Sequence, residues 1–362
     1  MVLSPKIVRN LLNPKVPSYM VFFITNKCNA SCFHCFYWGQ IEDGKSDYLS
    51  LEEIEKMAEK IGIMPYLLLS GGEPFLRKDI SGICHAFIQK ASTRFITIPT
   101  NAILSKPIAE FTEEMVSTYP DLSLRIQLSL DGVGENHDLF RGHKGNFDKL
   151  MKTHDLLVGI RDKYPNLSLG VVSILCRRNY PWLEELIDHV NTKMSVNQHH
   201  IGYLRSQGRG GGAESVSLEE FQQAIDLLHS KGVKKDHRPL WTLLRAANYS
   251  NSRVLAETLE KDKMILPCKA VNKFIVLNEV GVVYPCEILD KPLGNLRDFE
   301  YSLPALLKSD NSLEIKKWIQ KTHCYCTWEC AIHNNVIFSP GYYPHLLGQW
   351  LKIVSGNSNQ KK

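Results

Sequence analysis

Tyr19-Met20-Val21-Phe22-Phe23-Ile24 precedes the loop Cys28-Asn29-Ala30-Ser31-Cys32-Phe33-His34-Cys35, and the order of these two stretches decides the fold. The first is a short apolar run of the kind that forms a buried strand. The second carries three cysteines at the spacing C-x3-C-x2-C. Three thiolates on one short loop can bind three irons of a cubane cluster and leave the fourth iron open. Because an open iron can bind and activate a small molecule, the loop predicts a reactive cluster beside a buried strand.

Zinc is the main alternative for this cysteine loop. A structural zinc site takes four ligands, usually from C-x2-C pairs, and His34 could complete a set with the three cysteines. Three unligated thiols on one short polar loop are a poorer interpretation, and the wider cysteine pattern disfavours disulfides. Ligand number and spacing therefore favour the iron–sulfur cluster.

Strand-like and helix-like stretches alternate from residue 19 to residue 204. The predicted strands are 19–25, 66–70, 94–99, 123–130, 168–175 and 198–204, and the predicted helices are 50–61, 78–90, 105–118, 146–162 and 180–194. Ser50 and Glu53 form a capping box at the start of the first helix, and Gly62 ends it. This alternation predicts an α/β fold with a parallel sheet, open or closed into a barrel. In parallel barrels the active residues gather at the carboxyl ends of the strands.

Two further motifs follow predicted strands and carry a family resemblance. They are Gly71-Gly72-Glu73-Pro74 and Ser129-Leu130-Asp131-Gly132. Together with the cysteine loop, which has the aromatic Phe33 before its last cysteine, they resemble the radical S-adenosylmethionine (SAM) enzymes over residues 17–205. The resemblance implies a partial (β/α)6 barrel of the TIM type. It also implies that the open iron of a 4Fe-4S cluster on Cys28, Cys32 and Cys35 chelates SAM, and that one electron cleaves SAM to a 5'-deoxyadenosyl radical.

The resemblance also assigns SAM contacts at the strand ends. It implies that backbone groups of Gly71 and Gly72, and the carboxylate of Glu73, receive the SAM ammonium, since small residues allow close approach and a carboxylate balances a cation. Arg141 resembles the arginine that pairs with the SAM carboxylate, a role that suits its bidentate fork; a surface arginine is the alternative. The remaining expected contacts, to ribose and adenine and in ordering the pocket, are Asn101, Ser129, Asp131, Ser173 and Leu204. An Asn or Asp at a strand end is also a common turn former.

A second group of cysteines occupies the C-terminal third of the chain: Cys268, Cys286, Cys324, Cys326 and Cys330. The segment from Cys268 to Cys286 reads C-x12-G-x4-C, and the last two cysteines form C-x3-C. This resembles in part the SPASM/twitch extension of radical SAM enzymes, which binds auxiliary iron–sulfur clusters. A full SPASM module has more cysteines, so we expect a shortened, twitch-like domain with one auxiliary 4Fe-4S cluster.

The sequence leaves open which four of these five thiols are ligands. We expect Cys268, Cys286 and Cys330 to be among them, and a zinc knob that uses His323 or His333 is the alternative. In peptide-modifying enzymes similar to this chain, an acidic residue at the position of Glu287 can act as a general base. An ordinary exposed glutamate is the competing interpretation.

Gln207-Gly208-Arg209-Gly210-Gly211-Gly212-Ala213 is too rich in glycine for regular structure. We expect a flexible connector here, and an anion-cradling loop is the alternative. Cys84 and Cys176 belong to no motif and are expected to be buried structural thiols. Helices are predicted at 217–230 and 240–265. The predicted domains are a core barrel at 17–206, a linker and helical segment at 207–262, an auxiliary cluster domain at 263–335 and a tail at 336–362.

The composition of the chain limits which cellular compartment and which kinds of partner are expected. The 362 residues carry a net charge of +5, which does not indicate nucleic-acid binding. Ten cysteines without a secretory signal at Met1–Pro5 favour metal binding in a reducing cytoplasm. The apolar stretch Val336–Val354 is interrupted by Pro340 and Pro344, so a packed or surface-lying tail is expected rather than a membrane span. The polar residues 355–362 are expected to be disordered.

These features lead to one functional hypothesis and two rivals. The hypothesis is an enzyme whose deoxyadenosyl radical abstracts a hydrogen from a peptide, protein or small-molecule substrate, with the auxiliary cluster accepting an electron. A carrier such as flavodoxin or ferredoxin would supply electrons. The rivals are a non-catalytic iron–sulfur protein that relays electrons and a zinc-stabilised binding module.

Overall fold

The computed structural model describes residues 16–44, 47–231 and 239–354. The strands are β1 (Tyr19–Thr25), β2 (Tyr66–Gly71), β3 (Phe95–Thr100), β4 (Ser123–Ser129), β5 (Leu167–Leu175), β6 (Gln198–Tyr203), β7 (Phe274–Leu277), β8 (Val282–Tyr284) and β9 (Gly294–Asn295). The helices are α1 (Trp38–Asp43), α2 (Leu51–Ile61), α3 (Ile80–Lys90), α4 (Ser105–Thr118), α5 (Glu135–Arg141), α6 (Asn146–Lys163), α7 (Leu183–Lys193), α8 (Leu218–Lys231), α9 (Pro239–Lys261), α10 (Leu303–Leu306), α11 (Asp310–Lys321), α12 (Glu329–Ile337) and α13 (Tyr343–Val354). Two predictions fall outside the described residues: that residues 355–362 are disordered, and that Met1–Pro5 carry no secretory signal.

A nine-stranded sheet organises the molecule, in the order β6-β5-β4-β3-β2-β1-β7-β8-β9. The strands β1 to β6 are parallel, and helices connect them along the chain. This confirms the predicted α/β fold and all six predicted barrel strands. Ser50 caps α2 in the predicted capping box with Glu53, and Gly62 follows its last residue.

The two faces of the parallel sheet differ in burial. On β4, Leu124, Ile126 and Leu128 are fully buried, whereas the alternate side chains, including Gln127 and Ser129, are partly exposed. Because successive strand residues point to opposite faces, one face of the sheet is buried and the other is partly exposed.

The C-terminal cysteine region continues the same sheet instead of forming a separate layer. β7 pairs in parallel with β1, and β8 and β9 follow as antiparallel strands. Helix α12 and Trp328, the residue before it, contact the two edges of the parallel part of the sheet. Glu329 accepts a hydrogen bond from the backbone N–H of Tyr203 on β6, and the Trp328 ring packs edge-on against Phe274 of β7. α12 therefore closes the side of the barrel that six strands leave open.

The segment predicted as a tail is helical as far as the structure describes it. α13 packs against α9, and Gln349 on α13 is buried. This agrees with the expected packed tail. No helix in the described part of the chain combines the length and apolar character needed to cross a membrane.

Candidate functional site

The cysteine loop lies at the carboxyl end of β1, where backbone hydrogen bonds from three segments hold it. The N–H groups of Gly72 and Glu73, which follow β2, donate to the carbonyls of Thr25 and Lys27, each at 2.8 Å. Three further bonds involve the loop itself: Ser31 N to Arg141 O at 3.0 Å, Phe33 N to Phe140 O at 3.0 Å and Arg209 N to Phe33 O at 2.9 Å. The loop backbone is thus fixed by residues distant in sequence.

Glycine occupies several positions at which these segments contact the loop. A Cβ at Gly71 or at Gly72 would lie 2.1 Å from the carbonyl oxygen of Thr25 or of Lys27, respectively. A Cβ at Gly142 would lie 2.5 Å from Ser31 O, and one at Gly208 would lie 2.3 Å from Phe33 O. Since backbone atoms cannot move aside as a flexible side chain can, these positions require glycine.

The glycine-rich segment 207–213 contacts the cysteine loop at Gly208, and its role as a flexible connector stays a prediction. Gly208 has a φ of 65°, and its close contact with Phe33 carries the chain directly over the cysteine loop. Arg209 adds an ion pair to Glu42 at 2.7 Å. The segment therefore contacts the loop, and Gly208 is the glycine that a close backbone approach requires there.

The three loop thiols are partly buried and lie close enough together for the charge of one to act on another. Burial, and to a smaller extent the neighbouring thiols, raise the pKa of Cys28 to about 12 and of Cys35 to about 11. Arg141 Nη1 lies 3.4 Å from Cys32 Sγ. Thiolates in such a setting need cationic partners, and iron ions would supply that charge. This donor set fits a cluster ligated by three cysteines.

Glu73 is buried and makes its hydrogen bonds within the protein. Its carboxylate accepts from Thr100 Oγ1 and from the backbone N–H of Asn101, both at 2.8 Å, and from Phe75 N at 3.2 Å. Burial raises its pKa to about 7, although these hydrogen bonds act in the opposite direction. Glu73 thus joins the ends of β2 and β3. Its expected contact with the SAM ammonium stays a prediction.

Asp131 and Arg141 form a buried ion pair next to the cysteine loop. Arg141 Nε lies 2.7 Å from Asp131 Oδ2, and Asp131 Oδ1 accepts from Ile174 N at 2.7 Å. Burial lowers the pKa of Arg141, but the Asp131 carboxylate and the thiols of Cys32 and Cys28 together outweigh it and raise that pKa. The surface-arginine alternative is wrong. The expected pairing of Arg141 with the SAM carboxylate stays a prediction, because in this structure its partners are Asp131 and Cys32.

The other expected SAM contacts lie on the same side of the sheet at the strand ends. Asn101 reaches the cysteine loop itself, donating from Nδ2 to Asn29 Oδ1 at 2.8 Å. Ser129 ends β4 and is partly exposed. Ser173 is buried and bonds to the carbonyl of Leu130 and to His199 Nε2, and Leu204 is buried after β6. Asn101 is therefore the residue of this group tied most directly to the loop.

Four of the five C-terminal thiols line one cavity of about 130 Å³. They are Cys268, Cys286, Cys324 and Cys326, and Ile288, Leu289 and Tyr325 complete much of the wall. By the same measure one water needs about 10–15 Å³, so the space holds a group much larger than a single ion. In the described chain no three His, Cys, Asp or Glu side chains converge tightly enough to share one metal ion. We call this space the auxiliary cavity.

Cys330 lies apart from the auxiliary cavity. Its side chain hydrogen-bonds to Tyr19 at the start of β1, and burial raises the pKa of its thiol to about 12. The expectation that Cys330 is a ligand stays a prediction, and its thiol is not among those that line the cavity. α12 carries Cys330 to the inner side of the barrel, while the loop before α12 carries Cys324 and Cys326 to the cavity.

Glu287 is buried in an ion pair and is not an ordinary exposed glutamate. Arg205 Nη1 lies 2.7 Å from Glu287 Oε2, and Arg205 Nε lies 3.7 Å from Glu329 Oε2. Burial raises the pKa of Glu287, and Arg205 opposes that shift. The guanidinium also stacks 4.8 Å from the ring centroid of Phe36, directly after the cysteine loop. This cluster connects the auxiliary region to the first site.

Sequence reasoning missed Arg205 and Glu329. Arg205 follows β6 directly, so its position at a strand end was the available signal. Glu329 had no such signal, because it lies at the start of α12 and reaches β6 only through the tertiary fold. Cys84 and Cys176 are buried, as predicted.

Comparisons with known proteins agree with this geometry. The Radical SAM superfamily profile matches residues 22–190, from β1 into α7. This segment of the chain resembles the radical SAM superfamily. The match to the Fe-coproporphyrin III synthase of Methanosarcina barkeri is 26% identical and covers 60% of this chain, but only 57% of that protein's length.

Two solved structures share the fold. Native anSMEcpe with bound AdoMet superposes with a TM-score of 0.59 at 16% identity, over 94% of this chain and 98% of that one. Streptococcus suis SuiB bound to the precursor peptide SuiA gives 0.57 at 16% identity, over 85% of this chain and 69% of that one. At this identity the likeness concerns the fold, and it extends through the C-terminal cysteine region.

Proposed function

We propose that this protein is a radical SAM enzyme that abstracts a hydrogen atom from a peptide, protein or small-molecule substrate held at the carboxyl ends of its parallel strands. The observation that carries the proposal is the triad Cys28, Cys32 and Cys35 on a loop fixed at the carboxyl end of β1. A 4Fe-4S cluster on these thiols, with SAM on its open iron, would supply the electron and the 5'-deoxyadenosyl radical. The protein supplies position, charge balance and exclusion of water.

Charge balance at the first site comes from Arg141 and Asp131. Thiolate ligands leave a cluster anionic, and the buried guanidinium 3.4 Å from Cys32 Sγ offsets that charge. Asp131 holds the guanidinium from the other side at 2.7 Å. Glu73 and Asn101 fix the neighbouring strand ends, so a bound cosubstrate would meet a rigid pocket.

We further propose that Cys268, Cys286, Cys324 and Cys326 hold an auxiliary 4Fe-4S cluster that accepts an electron from the substrate radical. The shared cavity of about 130 Å³ and its separation from Cys330 support this set. Ten free thiols, several of them close together, suit a reducing compartment, which supports the cytoplasm as the location. Glu287, held beside this region by Arg205, is our candidate base.

Two substrate classes are supported, each by one similar protein. The curated relative is named for Fe-coproporphyrin III synthesis, and the SuiB structure contains a precursor peptide. The partly exposed inner face of the sheet, with Gln127, Ser129 and Gln198, offers amide and hydroxyl groups that suit polar substrates of either class. We therefore carry both classes forward.

The test is the formation of 5'-deoxyadenosine by anaerobically reconstituted, reduced protein. We expect wild type to form it, and the triple variant C28A/C32A/C35A to lose it while the auxiliary absorbance remains. Cys84→Ala, at a buried thiol outside both groups, is the control and should retain it. Product from the triple variant would contradict the site. Absence of product from the wild type would favour an electron-relay protein, and zinc without iron would favour a binding module.

A further inference from the structure

Helix α13 presents a row of apolar side chains at the protein surface. Tyr343, Leu347, Leu351 and Val354 are 48%, 53%, 53% and 57% exposed. Because an α-helix turns about 100° per residue, these four side chains lie within an arc of about 80°. Gln349 is buried on the opposite side, where α13 packs against α9. We call the four exposed side chains the apolar stripe.

The apolar stripe continues onto the end of α12, close to the point where the chain enters the fold. Ile337 ends α12 and is 37% exposed, and its carbonyl accepts a hydrogen bond from Tyr343 Oη at 2.8 Å. Lys273 Nζ lies 4.6 Å from the ring centroid of Phe338, the next residue. The carbonyl of Lys273 accepts a hydrogen bond from Ser18 N at 3.0 Å. The start and the end of the described chain therefore meet beside the stripe.

Both terminal regions of the sequence are basic and contain no acidic residue. The bases are Lys6, Arg9 and Lys15 within residues 1–18, and Lys352, Lys361 and Lys362 within residues 330–362. On α13 itself, His345 and Lys352 are exposed outside the arc of the stripe. Since the two ends of the chain meet at the stripe, an anionic surface that contacts the stripe would also meet these cations.

The acidic side chains near α13 lie on its other side. Asp226, Glu257 and Glu260 line a cavity of about 800 Å³ between α8, α9 and α13, to which α13 contributes Gln349. Gln349 follows Leu347 by two residues, so it points about 200° away from it around the helix. Glu257 is in addition paired with Lys261 Nζ at 3.1 Å. These carboxylates therefore do not border the apolar stripe.

The size of the apolar stripe favours a lipid surface over a second protein. Four large side chains, each about half exposed, present on the order of 350 Å². A stable contact between two proteins takes about 800 Å² from each partner. An interfacial helix can be smaller, because a modest apolar anchor and basic residues act together at an anionic membrane. The stripe and the basic termini supply these two contributions.

We propose that α13 attaches this protein reversibly to an anionic lipid surface. The helix lies in the plane of the interface, and the apolar stripe enters the boundary between the headgroups and the acyl chains. The basic side chains of the two terminal regions contact the lipid phosphates and carboxylates, and salt weakens this attraction. No residue of the stripe belongs to either thiol site, so the attachment does not depend on the proposed reaction.

The test is co-sedimentation of the reconstituted full chain with vesicles of phosphatidylcholine and phosphatidylserine in equal parts. We expect wild type to sediment with them and to stay in solution with phosphatidylcholine alone. Leu347→Gln/Leu351→Gln removes half of the stripe without a change of charge and should lower the partition coefficient by about tenfold or more. Lys361→Gln/Lys362→Gln should lower it by about tenfold or more at low salt, and by much less at 1 M salt, where the screening length is about 3 Å.

The control makes the same leucine changes on other helices. Leu156 on α6 and Leu313 on α11 are each 41% exposed, and Leu156→Gln/Leu313→Gln should sediment like wild type. Unchanged denaturation midpoints confirm that both double variants are folded. If the α13 variant and the control sediment equally, the stripe is not the attachment site. Equal sedimentation of wild type with both lipid compositions would contradict an anionic surface. A wild-type protein that ignores vesicles and forms a dimer, which the α13 variant dissociates, would make the stripe a contact between copies and overturn the proposal.

Discussion

The two thiol sites of this protein are built in opposite ways. The first draws its three cysteines from one short loop, and backbone groups of Gly72, Gly142 and Gly208 press against that loop from three sides. The auxiliary cavity draws its cysteines from segments between residues 268 and 326, and side chains such as Ile288 and Leu289 complete its wall. A local loop can be recognised from spacing, whereas an assembled cavity depends on how distant segments pack.

The two sites also meet different surroundings. The first lies at the mouth of the barrel beside the buried pair of Asp131 and Arg141. The auxiliary cavity opens toward solvent at Ile288 and Tyr325. Between them, Arg205 pairs with Glu287 and touches Phe36. The first site is therefore enclosed by buried charged groups, whereas the auxiliary cavity lies close to the surface.

Removing the connection between the two regions should have the largest effect. Arg205→Met leaves the buried Glu287 carboxylate without its cation, which costs about 3–5 kcal/mol of unfolding free energy. Arg209→Met breaks a pair whose side chains are 36% and 49% exposed, and should cost about 0–1 kcal/mol. Denaturant unfolding of both variants checks the difference. Equal losses would mean that the Arg205 cluster does not connect the regions.

Crowding the backbone of the first loop should abolish the first cluster and leave the auxiliary cluster unchanged. A methyl group at Gly72 meets the Lys27 carbonyl at 2.1 Å, so Gly72→Ala should destabilise the protein by about 3 kcal/mol and abolish the first cluster while sparing the auxiliary one. Gly39→Ala adds the same group where nothing lies within 4 Å and should leave both clusters intact. Iron content and spin-resonance spectra after reconstitution report each site. A Gly72→Ala protein with a normal first cluster would refute the close-contact argument.

Acid should weaken the barrel end first. Burial lowers the pKa of His137 to about 4 and that of His199 to about 3. Both are neutral in the fold, while the unfolded chain binds protons near pH 6.5, so stability present above pH 6.5 is lost as the pH falls toward 4. Each histidine contributes up to about 1.4 kcal/mol per pH unit. His199→Gln should reduce the slope of unfolding free energy between pH 6.5 and 4.5 by about that amount; an unchanged slope would contradict a neutral, buried His199.

Exchanging single thiols should have the smallest effect on stability and the clearest effect on ligand assignment. Cys326→Ala should lose the auxiliary cluster, because this thiol lines the cavity. Cys330→Ala should keep the cluster at a cost of about 1 kcal/mol, since it removes only a buried thiol that bonds to Tyr19. Iron analysis of the two variants shows which of the two thiols is a ligand of the auxiliary cluster. Loss of auxiliary iron from Cys330→Ala would restore Cys330 as a ligand.

The sequence by itself determined the parallel sheet, the six barrel strands and the place of the first site. Apolar runs alternate with amphipathic stretches, and Cys28, Cys32 and Cys35 lie within one loop after β1, so local pattern was sufficient. The Gly71–Gly72 motif could also be recognised from the sequence, because two backbone segments that approach this closely require glycine at the contact.

Only the tertiary structure decided what depends on contacts between distant segments. It placed Gly208 against the cysteine loop, joined β7 to β1 in one sheet, and left Cys330 out of the lining of the auxiliary cavity. It also brought Arg205 to Glu287, residues on opposite sides of the open barrel. Spacing along the chain cannot report such meetings, because they follow from the curvature of the sheet and from the helix that closes it.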